Sequence, residues 1–147
     1  MTESPDEPAV IVELWYAPLP RPLSLWAWHH YLVTRTGDAA DRWEVWQSLD
    51  AGGQSAGYVH KNLMHPESCV GGGAAVCVFT WRGADAAALC RALARAWTHY
   101  PHRAVYRAFP GPNSNTFVAW VLRRAGLSRD AALLLRRQAI GQGWRWG

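Results

Sequence analysis

The chain has 147 residues, half of them hydrophobic, with a net charge of +4. That length supports one domain around a single hydrophobic core, and the composition excludes a chain disordered throughout. The longest apolar run, residues 74–79, is far too short to span a bilayer. The acidic start lacks the apolar stretch of a secretory signal.

We therefore expect a loose N-terminal tail over residues 1–8 and a single domain over residues 9–147. The simplest location is the cytoplasm, with signal-less export left open. Three cysteines, Cys69, Cys77 and Cys90, are scattered and form no CxxC pair, so no disulfide framework is expected. Cys77 falls in an apolar strand-like run and Cys90 in an amphipathic helix, which suits small buried hydrophobes.

Taken in order, residues 9–16 (AVIVELWY) read as a first strand, rich in Val, Ile and Trp. Pro18, Pro20 and Pro22 break it. Residues 25–35 (LWAWHHYLVTR) read as a second strand, Gly37 and Asp38 as a turn, and residues 43–49 (WEVWQSL) as a third strand closing a hairpin. Residues 50–57 hold three glycines and read as loop. Residues 58–73 give no clear period and end in Gly71-Gly72-Gly73. Residues 76–82 (VCVFTWR) read as a fourth strand.

Residues 85–99 place Leu89, Leu93, Ala96 and Trp97 on one helical face, with Arg91 and Arg95 outside, and Pro101 ends that helix. Residues 104–109 suit a short strand. Phe117, Val118, Val121, Leu122 and Ala125 have helical spacing, and Gly126 reads as a stop. A short helix over residues 129–137 follows. Strands first and helices after predict an α+β class, an antiparallel sheet of about four to six strands covered by helices.

The stretch Pro110-Gly111-Pro112-Asn113-Ser114-Asn115-Thr116-Phe117 is the most informative in the chain. Asn113 or Ser114 is the natural N-cap of the helix it opens. A side chain there faces unpaired backbone N–H groups and the positive end of the helix dipole, which favours anions and activated nucleophiles. A cap and a nucleophile are both compatible with this position.

The same stretch resembles the Asn-Cys-x-x-Phe element of circularly permuted papain-like proteins, the NlpC-type peptidases and lecithin:retinol-acyltransferase-like enzymes. In those families a cysteine opens a helix and its histidine lies upstream on a strand. Here His29-His30-Tyr31-Leu32-Val33 lies upstream on a predicted strand. The run His29 to Arg35, Trp43-Glu44-Val45, Tyr106, the octapeptide and Ala139-Ile140-Gly141 together resemble a bacterial domain-of-unknown-function family, number 3750, over most of the chain. In that family serine stands where the permuted peptidases carry cysteine.

The resemblance implies a hydrolase or acyl transferase acting on an amide, ester or thioester. Ser114 would attack and a histidine would take and return the proton. A serine hydroxyl titrates high, so it needs that base and a third group to orient it. Adjacent strand residues point to opposite faces, so only one of His29 and His30 can serve, and the resemblance favours His29. Glu44 or Gln47 would hold the ring. A turn centred near Asp38 sets Gln47 and Ser48 opposite His30 and His29, while the family match points to Glu44. Asn113 and Asn115, or the backbone N–H groups at Ser114, would form the oxyanion site, and Tyr31 is placed with the substrate-binding residues. Peptidoglycan peptides and lipid acyl groups are the substrate classes the superfamily implies.

Other functions stay in view. The fold with Ser114 as a cap would suit a non-catalytic binding module. The late arginines, Arg123, Arg124, Arg129, Arg136, Arg137 and Arg145, suit anionic partners. No nucleic-acid signature accompanies them, and no nucleic acid is expected. His60, His65, His99 and His102 have no zinc-like spacing and read as surface residues; no metal or cofactor is expected. The triple glycine lacks the Lys-Ser/Thr of a phosphate loop and reads as a turn or a flap beside the site. Ten tryptophans are spread along the chain. Most are expected in the core, with some lining a groove. The oligomeric state is not legible.

Overall fold

Val12 and Leu14 are fully buried between half-exposed neighbours, the period of a strand with one face on a core. In the computed structural model, which describes residues 8–143, this run is β1 (Val10–Pro18). A 3₁₀ turn, Leu23–Leu25, leads to β2 (Trp28–Thr36), and a two-residue turn leads to β3 (Ala39–Val45). Gly37, at φ +58°, supplies the left-handed residue that a two-residue hairpin requires. Then come β4 (Gln54–Ala56), β5 (Val59–Lys61), β6 (Val76–Trp81), α1 (Gly83–His99), α2 (Ser114–Arg124) and α3 (Ser128–Leu134).

The strands form one sheet in the order β4-β5-β3-β2-β1-β6, antiparallel throughout. The expected α+β class with an antiparallel sheet against helices is what forms. One sheet face, carrying Val12, Leu14, Leu32, Trp43 and Val45, packs on α1 and α2. α2 is the central helix, buried from Ser114 through Leu122. The other face carries Ala17, Tyr31 and Val33. No helix among the described residues is long and apolar enough to cross a membrane.

Several sequence expectations need correction. The third strand lies at Ala39–Val45 rather than residues 43–49, because the hairpin turn is only two residues long. β4 and β5 occupy stretches read as loop or left unassigned. They are three residues each, too short for a periodic signal. No strand forms over residues 104–109. Backbone groups there close turns instead, as in Val105 N–H to His102 O and Arg107 N–H to Pro112 O. Cys77 is exposed, because β6 is an edge strand, and Cys90 is only half-buried.

His60 is fully buried on β5 rather than at the surface. Among the described tryptophans only Trp43, Trp81 and Trp120 are buried outright, and Trp26 is largely exposed. Gly72 lies against the carbonyls of Pro18 and Leu19, where a Cβ would come within 2.3 Å of both. The triple glycine is thus a close backbone approach. The tail residues 1–7 and Trp144, Arg145 and Trp146 lie outside the described residues.

Candidate functional site

The register of β2 on β3 decides which acid meets which histidine. Leu32 pairs with Trp43 and Val33 with Arg42. Continued by alternation, that register sets Glu44 diagonal to His29 on one sheet face, within reach of long side chains. His29 Nε2 and Glu44 Oε2 are 2.5 Å apart, with both side chains essentially inaccessible to solvent. The same carboxylate oxygen accepts from Arg42 Nη2 at 2.9 Å. Gln47, the alternative orienter, lies exposed beyond the end of β3. The longer turn that would have favoured it does not form.

Arg42 was not anticipated, although an Arg two positions before a Glu on a strand places both on one face. It is fully buried, lies 3.6 Å over the Tyr31 ring and donates Nη1 to the carbonyls of His65 and Ser68. That anchors the loop after β5 onto this face of the sheet. Burial pushes the Glu44 carboxyl upward, but the His29 bond and the Arg42 charge outweigh it and hold its pKa below the ordinary value. The carboxylate therefore stabilises the fold above the usual carboxylate range, and that contribution is lost as pH falls through its lowered pKa.

With Nε2 turned to Glu44, Nδ1 is the ring nitrogen left free of the carboxylate. His29 Nδ1 is buried and has no hydrogen-bond partner among the described residues. The ring packs edge-on against Trp46, centroids 4.7 Å apart. His29 and Ser114 line one small cavity of about 50 Å³, with Trp28, Trp46, Tyr106 and Ile140 among its other walls. A cavity of that size accommodates about one water. No hydrogen bond joins Ser114 to His29.

Ser114 is the first residue of α2, 6% exposed, and its hydroxyl has no hydrogen-bond partner among the described residues. The cap is Asn113. Its Oδ1 accepts from the Asn115 and Thr116 N–H groups, and the Thr116 hydroxyl accepts from the Asn113 N–H. That capping box leaves Ser114 without the capping role considered for it.

Asn113 and Asn115, expected at an oxyanion site, are committed to the fold. Asn113 Nδ2 donates to Ala108 O and Ile140 O. Asn115 Nδ2 donates to Trp28 O and Ile140 O, and its Oδ1 accepts from both the backbone and ring N–H of His30. Tyr31 does not line the cavity; it is buried beneath Arg42. The Ser114 N–H, first in the helix, is the donor left for a developing negative charge.

Asn113→Ala is expected to lower stability by about 2–4 kcal/mol, since it removes a cap and orphans two buried carbonyls. Asn113→Asp keeps the acceptor but not the two donors, so it is not expected to restore full stability. Urea denaturation of the three proteins checks this.

His30, rather than the expected His29, faces α2. His29 lies on the opposite side of β2 with Arg42 and Glu44, because strand side chains alternate. Burial lowers the His30 pKa from 6.5 to about 4, against the opposing effect of its Asn115 bond. Between those values the unfolded chain binds a proton that the folded chain refuses. Stability is therefore full above pH 6.5 and falls by about 3 kcal/mol as pH drops to about 4. A flat unfolding free energy between pH 7 and pH 4.5 would contradict this.

Arg124 shares a groove of about 350 Å³ with Arg91 and Arg95, whereas Arg136 lines a different cavity. Among the described residues no group of three or more His, Cys, Asp or Glu side chains is placed to hold a metal ion.

The sequence profile of a family described as a protein of unknown function, DUF3750, matches residues 9–144. No curated protein and no solved structure matches the chain. With nearly its whole length matched, the chain belongs to the DUF3750 family.

Proposed function

We propose that this member of the DUF3750 family is a hydrolase or acyl transferase of circularly permuted papain-like type, acting on an amide, ester or thioester. The observation that carries this reading is the His29–Glu44 bond. It fixes the ring of a histidine that lines the same small cavity as Ser114, and it leaves Nδ1 without a partner among the described residues. The order of the parts, a strand histidine upstream of a helix-opening serine over an antiparallel sheet, supports the permuted architecture.

In this mechanism Ser114 Oγ attacks the carbonyl carbon while His29 Nδ1 takes its proton, directly or through one water. The charge developing on the carbonyl oxygen is stabilised by the Ser114 N–H and the α2 dipole. Collapse of the adduct expels the amine, alcohol or thiol, which receives the proton from His29. Water or an acceptor then attacks the acyl-serine, with His29 again as base. Glu44 positions the ring and stabilises the imidazolium. Peptidoglycan peptides and lipid acyl groups remain the proposed substrate classes, and a cytoplasmic location the proposed setting.

One observation favours a second reading, a non-catalytic binding module. α2 is tied to the His30 side of β2 through Asn115, and Ser114 and His29 share a cavity without a hydrogen bond. A fluorophosphonate probe separates the readings. Labelling of Ser114 that His29→Ala suppresses supports the enzyme. No labelling, with every measured binding property unchanged in His29→Ala, supports the module.

A further inference from the structure

A second cavity lies on the other side of Trp28. It encloses about 350 Å³ and is lined by Tyr16, Trp28, His30, Val78, Leu134 and Arg136, among others. That volume is at the small end of ligand pockets, and the walls are mostly apolar with few polar groups, the usual character of a small-molecule site. Tyr16 and Trp28 are stacked, 4.0 Å between centroids and 9° between planes, and brace each other as one rigid aromatic wall.

The segment that contributes Arg136, Gln138 and Ala139 to the wall is tied down. Trp28 N–H donates to Gln138 O, Ala139 N–H to Arg136 O, and both Asn113 and Asn115 donate to Ile140 O. The cavity is therefore preorganised.

Its polar groups are specific. Asn115 gives both of its amide hydrogens to carbonyls, so its Oδ1 is the acceptor for the His30 ring. His30 Nδ1 must then carry a hydrogen. Burial keeps the ring neutral, so Nε2 carries a lone pair. That nitrogen has no hydrogen-bond partner among the described residues, and His30 lines the cavity. Arg136 is exposed at the rim and forms no ion pair among the described residues.

We propose that this cavity binds a small N-acyl amino acid, with the acyl chain on the Tyr16–Trp28 wall, the amide N–H donated to His30 Nε2 and the carboxylate paired with Arg136. An apolar body, one donor and one anion are the three features the walls complement. Trp28 also lines the Ser114 cavity, so the two cavities share one wall. As a substrate pocket the assignment rests on the proposed Ser114–His29 chemistry; as a binding site it does not.

The test is equilibrium binding to Ser114→Ala, followed by calorimetry, with N-octanoylglycine as probe. Saturable one-to-one binding is expected. N-octanoyl-N-methylglycine, which lacks the donor, should bind about tenfold more weakly, and so should N-methyloctanamide, which lacks the carboxylate. Arg136→Gln, introduced into Ser114→Ala, should weaken the glycine conjugate to the level of the uncharged amide and leave the amide unchanged. No saturable binding, equal binding of the N-methylated probe, or no effect of Arg136→Gln overturns the assignment. Ser114 labelling, scored separately in the unmodified chain, reports on the chemistry: failed binding with intact labelling removes the pocket alone, and intact binding without labelling removes the enzyme alone.

Discussion

Ser114→Ala is expected to lower amide, ester or thioester cleavage by this chain roughly 10³-fold or more and to abolish fluorophosphonate labelling. The fold should be nearly untouched. The hydroxyl caps nothing and has no hydrogen-bond partner among the described residues, because Asn113 holds the capping role. A hydroxyl kept at a helix start without structural work is the reason to expect chemistry from it. Ser114→Cys is the informative companion. A thiol at the same position meets the helix dipole and His29, both of which favour thiolate. That variant is expected to react with iodoacetamide faster than Cys69, Cys77 or Cys90, as mass spectrometry of the labelled protein would show. Partial desolvation raises the thiol pKa of Cys90, which is half-buried, and of Cys77 despite its exposed position, so both hold less thiolate. If Ser114→Ala leaves cleavage and labelling unchanged, the proposed nucleophile is wrong.

Glu44→Leu is expected to destabilise the chain by about 3–5 kcal/mol, because it leaves the Arg42 guanidinium buried without its counter-charge. Arg42 is completely enclosed and cannot escape to solvent without withdrawing from the His65 and Ser68 carbonyls. The double variant Arg42→Met, Glu44→Leu removes both charges. It is expected to regain much of that loss, because the desolvation penalty disappears with the ions. Activity should not return with it. Without Glu44 the His29 ring loses its orienter, and a fall of roughly 10²–10⁴-fold is expected in both variants. Urea denaturation and cleavage assays on the same samples separate the two effects. A double variant no more stable than Glu44→Leu would show that the Arg42–Glu44 pair does not account for the loss.

The α2 helix was legible because its signals are local. Turn residues precede it, Asn113 and Thr116 form the cap, and Phe117, Val118, Val121 and Leu122 repeat at helical spacing. β1 and β2 were legible from apolar runs of strand length. β4 and β5 were not, since three residues carry no period and their stability comes from pairing with β3. The third strand lies earlier than its apolar run suggests, by the distance that a two-residue turn differs from a longer one. The difference has chemical consequences: in the observed register Glu44 meets His29, and Gln47 is left outside.

The amino-acid order alone determined the α+β class, the helix start at the octapeptide and the upstream position of the histidine. It determined too that only one of His29 and His30 could share a face with a given partner, since strand side chains alternate. Tertiary structure decided which. Asn115 holds His30 against α2, while Arg42 and Glu44 close over His29 on the other face. It also decided that Asn113 and Asn115 build the fold and that Ser114 is left without a structural partner. These outcomes depend on pairings across tens of residues, where a shift of one position exchanges the two faces of a strand. Local sequence patterns do not encode them.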